Sequence, residues 1–168
     1  FFYLSLSNTV GGAIFHDGNL LPGDTFRCGE AGHMTLIPDG KPCYCGKTGC
    51  VDAYCSARLL SDLSGGRLED FFLGLQQNNP DYRSVWDTYL KHLAVVINNL
   101  HMLLDYDIVL GGYVGSFLTP WLDTIRHLVA ERNTFEDDGS FVKLCTYQTG
   151  AAAYGAAMDV MEEFLRTV

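Results

Sequence analysis

Between His33 and Cys50 the chain reads H-M-T-L-I-P-D-G-K-P-C-Y-C-G-K-T-G-C, one histidine and three cysteines within eighteen residues. Neutral imidazole and thiolate are the donors zinc prefers, and Cys43-Tyr44-Cys45 followed by Gly46 and Gly49 permits a tight knuckle that aims Cys43, Cys45 and Cys50 inward. His33 supplies the fourth corner of a tetrahedron. A closed set of four leaves no position for water, which predicts a structural Zn2+ and not a catalytic one. Two other readings compete. Disulfides are one, for which Cys-x-Cys is poor bridging geometry. Free buried thiols are the other, the reading that suits Cys28, Cys55 and Cys145, each in apolar sequence without a ligand partner nearby.

The elements that must position this segment follow from periodicity and turn chemistry. An apolar strand at Phe2 to Leu6, a turn through Ser7-Asn8-Thr9 and a second strand around Gly12 to His16 read as a hairpin. Asp17-Gly18 supplies the positive φ of the next reversal, and Leu20 to Pro22 begins a connection toward Gly29-Glu30-Ala31-Gly32-His33. Met34 to Ile37 reads as a short strand before the knuckle. Val51 to Leu63 reads as helix ending at Gly65-Gly66, and Leu68 to Gln76 as a second, stopped by Asn78-Asn79-Pro80. From Tyr82 to Leu104, Trp86, Leu90, Leu93, Val96 or Ile97, Leu100 and Leu104 recur every three or four residues, giving one broad core-facing stripe. His92 and His101 within it read as packed, hydrogen-bonded histidines, not ligands.

Asp107 to Leu110 reads as a buried strand running into Gly111-Gly112, with an amphipathic helix from Phe117 to Arg132 behind it. Phe141 to Thr146 and an Ala-rich helix from Ala151 to Leu165 repeat the arrangement, the small residues allowing that helix to pack closely on a sheet. Alternating strands and helices after a hairpin-rich start predict an α/β fold with a mixed sheet. Asp105 and Asp107, at a helix-to-strand junction, read as turn residues.

Size and composition narrow the partners. With 168 residues, 48% of them hydrophobic, the chain can bury one core, read as one domain: knuckle segment 29–52, helical segment 53–104 and strand–helix units 105–168. No apolar run approaches membrane-spanning length, which predicts no membrane partner. A net charge of −9 with eleven basic residues scattered along the chain argues against a DNA-gripping surface. Thiolate ligands require a reducing compartment, so the expected location is cytoplasmic. The abrupt start, Phe1-Phe2-Tyr3-Leu4-Ser5-Leu6, reads as a fragment of a longer protein.

Glu-x-Gly-His at Glu30 to His33, followed by Cys-x-Cys-Gly-x-x-Gly-Cys at Cys43 to Cys50, resembles the two signatures of the ROK family, which groups bacterial sugar-responsive repressors with sugar kinases. The resemblance extends through Ile108-Val109-Leu110-Gly111-Gly112 to the final helix. It implies the C-terminal lobe of an actin-like, hexokinase-like ATPase fold (ribonuclease H-like motif), with sugar bound between two lobes. By the same resemblance Glu30 and His33 hold sugar hydroxyls, His33 giving one ring nitrogen to zinc and the other to the sugar. For Glu30 the alternative is a solvated loop carboxylate. Asp52 stands where the family usually has Glu; it either still reaches the sugar or caps the helix that follows.

The chain departs from the family's kinases at the phosphate loops. Their Gly-Thr-Gly turn is replaced by Ser7-Asn8-Thr9-Val10-Gly11-Gly12, whose side chains crowd a backbone approach to phosphate, and Gly111-Gly112 is followed by Tyr113 instead of a third glycine. The kinase base, an Asp in an Asn-Asp pair, would lie upstream of residue 1, so the resemblance assigns no catalytic residue to this chain. The resemblance is closer to the NagC/Mlc-like transcriptional regulators than to the kinases, which implies sugar or sugar phosphate as ligand, a homodimer or tetramer, and DNA contact only through a further N-terminal domain. The alternative is the C-terminal lobe of a ROK sugar kinase of glucokinase or N-acetylmannosamine kinase type, with ATP and Mg2+ as cofactors. A purely structural oligomerisation domain is a third class.

Overall fold

A computed structural model of the chain describes residues 1–167, the side chains of Glu162 and Glu163 excepted. Strand β1 (Phe2–Leu6) is the middle of a five-stranded sheet of order β3-β2-β1-β4-β5, with β2 at Val10–His16, β3 at Asn19–Leu21, β4 at Ile108–Gly111 and β5 at Val142–Leu144. The first three strands run antiparallel, and β1–β4 and β4–β5 pair in parallel, so the sheet is mixed as expected. Asp17 and Gly18 both take positive φ, 49° and 77°, the two-residue turn that suits the right-handed twist of a hairpin. That turn continues into β3, paired with β2 from Ile14↔Leu21 to His16↔Asn19, where the sequence predicted only a connection.

One face of the sheet is covered. Phe2, Leu4, Leu6, Ile108, Leu110 and Val142 are buried against α4 (Pro80–Leu104) and α6 (Leu122–Ala130). Helix α4 carries the predicted stripe, with Trp86, Leu90, Leu93, Val96, Ile97 and Leu100 all buried. It begins two residues earlier than its periodicity alone indicates, because Asn79 caps it, its side chain accepting from the backbone N–H of Asp81 (3.0 Å) and Tyr82 (3.2 Å), and Pro80 fits the first turn. It stops at Asp105, in left-handed conformation at φ 54°. His101 is buried near its end, with Nδ1 2.8 Å from the Tyr106 carbonyl oxygen and its ring stacked on Phe141; Nε2 lies 2.9 Å from Glu136. His92 meets the Tyr54 ring edge-on, and burial lowers its pKa, with Lys41 adding to the effect.

Four predicted elements come out differently. Met34 to Ile37 is no strand: the N–H groups of Leu36 and Ile37 both donate to the Gly49 carbonyl, so this backbone pairs with the knuckle and not with the sheet. The helix expected from Val51 to Leu63 is broken into α1 (Asp52–Cys55) and α2 (Arg58–Ser61) by Ser56, which is extended at ψ 154°, and it ends where expected, at Gly65 with φ 67°. The helix expected from Phe117 to Arg132 opens instead as a 3-10 turn (Thr119–Trp121) containing Pro120 and is α-helical only as α6, while a short helix α5 (Gly112–Gly115) that the sequence did not predict precedes it. Helix α7 (Ala151–Thr167), which follows α3 (Leu68–Gln76), α4, α5 and α6 in chain order, forms as the Ala-rich sequence predicts. Among its described residues it does not pack on the sheet beyond the first turn: Tyr154, Met158, Met161 and Leu165 are exposed, and Ala151 and Ala152 border a groove with Phe1, Tyr3 and Phe15 on the open face of the sheet. Alanine favours helix without a packing partner, so composition predicts the helix and not its neighbour.

Among the described residues no helix is long and apolar enough to cross a membrane. Because Leu93 is fully buried where α4 meets the sheet, Leu93→Ala is expected to destabilise the fold by about 2–5 kcal/mol, read as a lower midpoint of urea unfolding at unchanged slope.

Candidate metal centre and the cleft beside it

The four predicted ligands come together. One donor atom from each of His33, Cys43, Cys45 and Cys50 lies within 4.8 Å of the others, so the set could hold a metal ion. The Cys45 and Cys50 sulfurs are 3.7 Å apart, close to the roughly 3.7 Å between two thiolates at two corners of a tetrahedron around a zinc ion with bonds of roughly 2.3 Å. All six cysteines are free, and 3.7 Å is far too long for a disulfide. Of the three cysteines outside the cluster, Cys55 is buried as expected, whereas Cys28 and Cys145 are only half-buried.

Local backbone chemistry builds the cluster. Cys43 N–H donates to the Lys47 carbonyl at 2.8 Å and Gly46 N–H to the Cys43 carbonyl at 3.0 Å, closing the knuckle, with Gly46 at φ 84°. Gly49 has φ 79°, and a Cβ there would collide with the Ile37 carbonyl, so glycine is required. The base of the knuckle is braced from α1: Lys41 N–H donates to the Tyr54 hydroxyl at 2.6 Å, and the Tyr54 ring lies against His92 of α4. The sulfurs crowd one another. Burial, reinforced by the neighbouring Cys45 and Cys43 sulfurs, pushes the Cys50 thiol up to about 12, while the Lys47 backbone N–H lowers Cys45. A divalent cation would relieve this crowding, since it stabilises all of the thiolates together.

His33 closes a 3-10 turn (Ala31–His33) and presents its Nδ1 to the cluster, 4.0 Å from the Cys43 sulfur. Its Nε2 is 3.2 Å from the Tyr44 hydroxyl, with the two rings edge to face at 5.3 Å. Tyr44 is therefore a further site residue that ligand spacing alone does not pick out, although its place between two ligand cysteines puts it beside any bound ion. Burial raises its pKa, and so do the Asp52, Cys43 and Glu30 charges, in that order. Glu30 is exposed at the entry to the His33 turn.

Asp52 is buried, and its carboxylate accepts from the backbone N–H of Val10 at 2.5 Å. It lies in the first turn of α1 and makes no side-chain cap there. This bond ties the knuckle to the turn at Ser7-Asn8-Thr9, as does the Ala57 N–H donating to the Ser7 carbonyl at 2.7 Å. Gly11 and Gly12 lie not in that turn but in β2, opposite Ser5 and Leu4. Gly111 pairs with Ser5 across β1–β4, and Gly112, at φ 78°, approaches so closely that a Cβ would stand 2.6 Å from Ser7 Oγ. The two glycine segments thus flank β1 at Ser5, which pairs with Gly11 on one side and Gly111 on the other. Beside them Asn8, Glu69, Tyr113, Ser116 and Thr149 line a cleft of ≈ 300 Å3, and no Lys or Arg is among its lining residues.

Comparison with known proteins identifies the family. The ROK family model matches residues 1–163. An N-acetylmannosamine kinase of Escherichia coli O7:K1 is 30% identical across 97% of this chain and 57% of its own length. A ROK family protein from Streptococcus pneumoniae TIGR4, solved in complex with sucrose, superposes with TM-score 0.78 at 21% identity over 98% of this chain and 59% of its own. A ROK family transcriptional regulator, a homologue of the E. coli MLC protein, superposes with TM-score 0.68 at 22% identity over 85% of this chain and 40% of its own. The chain spans 41–57% of the length of the curated relatives it matches.

If Tyr44 orients His33, Tyr44→Phe keeps the ring contact and removes the hydrogen bond, so zinc affinity should fall by roughly tenfold in competition with a chromophoric chelator. A Cys50 thiol held near 12 is protonated at neutral pH, so metal uptake must expel its proton. Affinity should accordingly rise with pH, and unbuffered protein should acidify on titration with Zn2+.

Proposed function

Because the chain belongs to the ROK family, we propose that it is the sugar-sensing domain of a ROK transcriptional regulator, with a structural zinc ion held by His33, Cys43, Cys45 and Cys50. The observation that supports the sensing role over catalysis is the cleft that Asn8 lines. Where a phosphate loop needs bare backbone, Asn8 and Tyr113 bring side chains, Glu69 adds a negative charge and no cation lines the cavity. Sugar hydroxyls are taken by Glu30 and by His33, whose Nε2 exchanges the Tyr44 hydroxyl for a sugar hydroxyl while Nδ1 faces the metal, an arrangement that suits a carboxylate accepting from a diol and an imidazole fixed by its other nitrogen. Asp52, engaged with Val10, supports the site from behind, and a direct sugar contact is a further role for it.

In this reading the chain is a C-terminal lobe, the operator is gripped by a winged helix elsewhere in the protein, and sugar shifts an interlobe equilibrium that sets operator affinity. Sugar or sugar phosphate is the ligand, the assembly is a homodimer or tetramer, and the setting is cytoplasmic because the ligand thiols must stay reduced. A second reading has a specific observation in its favour: the relatives at 28–30% identity are a glucokinase and N-acetylmannosamine kinases. Under it the chain is the C-terminal lobe of an ATP-dependent sugar kinase, with ATP and Mg2+ as cofactors.

The full-length protein decides between them. Expected for the regulator are operator binding that changes with a hexose or N-acetylhexosamine and no sugar-dependent ADP production; sustained turnover of ATP with a sugar establishes the kinase. In either case Glu30→Ala should weaken sugar binding by about tenfold or more in calorimetry, the loss of a charged hydrogen-bond acceptor. Unchanged affinity would leave Glu30 as a solvated loop carboxylate.

A further inference from the structure

Two of the four metal ligands sit beside residues that grip the same amino acid. Gly32, the neighbour of His33, lies so close to Val10 that a Cβ on it would overlap the Val10 carbonyl. Asp52, two residues past Cys50, accepts the N–H of the same residue. Both residues are buried, and so is Val10, the first residue of β2. Val10 immediately follows the Ser7-Asn8-Thr9 turn, and that turn is held again by Ala57 N–H on the Ser7 carbonyl.

We propose that Asp52 is a positioning residue through which metal occupancy of the knuckle sets the shape of the Ser7-Asn8-Thr9 turn, and with it the cleft that Asn8 lines. The inference rests on the metal-binding reading of the cluster. His33 and Cys50 close on one ion from two stretches of chain seventeen residues apart in sequence, and Gly32 and Asp52 ride on those same stretches. With the two stretches clamped, the Val10 peptide is caught between them. Released, they are free to separate, and the Val10 N–H loses a buried acceptor 42 residues away in sequence that nothing local replaces. The coupling is reciprocal: whatever rigidifies the turn at Asn8 also tightens metal binding.

Hydrogen–deuterium exchange of residues 7–12 tests this on the whole chain, zinc-loaded and chelator-stripped. In the wild type, stripping should speed exchange of the Val10 amide by about tenfold or more. Asp52→Ala should exchange fast at Val10 with or without zinc. Asp52→Asn, which keeps an acceptor oxygen, should restore both the protection and its dependence on zinc. Wild-type protection that is unchanged by stripping overturns the proposal, as does Asp52→Ala protection equal to wild type. If Asp52→Ala does not fold, the wild-type and Asp52→Asn comparison decides alone. Zinc binding is measured separately by chelator competition: protein that binds no zinc refutes the metal reading, whereas protein that binds zinc without any change at Val10 refutes the coupling.

Discussion

Three sulfurs and an imidazole nitrogen held within 4.8 Å of one another are a constraint the rest of the site must satisfy. Thiolates so close repel, and the buried Cys50 resists ionisation most. The chain nevertheless spends structure on keeping them together. Gly46 and Gly49 take conformations a side chain would not allow, the 34–37 backbone gives its N–H groups to the knuckle instead of the sheet, and Tyr54 reaches back to hold Lys41. An arrangement in which so many backbone groups converge on mutually repelling donors is stable when a cation lies between them, since metal-binding free energy then contributes to folding free energy.

Beneath the knuckle lies the platform that makes it rigid. α4 presents Trp86, Tyr89, Leu90 and Leu93 to the core, with Trp86 stacked on Tyr89 at 5.1 Å and edge-on to Phe72 and Trp121. α1 rests on this layer through Tyr54 against His92 and through the Tyr89 hydroxyl, which donates to the Cys55 carbonyl at 2.7 Å. The knuckle is thus an excursion from a packed core, and its ligands inherit the core's order.

The sequence disclosed what depends on local pattern. The ligand cluster could be read because donor type and glycine punctuation lie within eighteen residues, α4 because its stripe repeats over many turns, and the β2–β3 turn because Asp17-Gly18 has one favoured geometry. What was hidden depends on partners far along the chain. Met34 to Ile37 has strand composition, but its backbone bonds were claimed by Gly49, and no local signal says so. Asp52 offered a sugar contact or a helix cap as local roles; its acceptor is used by Val10, which no spacing rule connects to it. Alanine content gave α7 its helix but not a surface to lie on.

That last helix has a mechanical side. Thr149 lines the cleft with Asn8, Gly150 follows it, and α7 starts at Ala151, so the wall of the cleft is also the fulcrum of a rod. Seventeen helical residues span about 25 Å at roughly 1.5 Å each, and a tilt of about ten degrees at the base swings the tip through about 4 Å. A displacement too small to notice inside the cleft is thereby magnified, at the far end of the helix, to the width of a side chain.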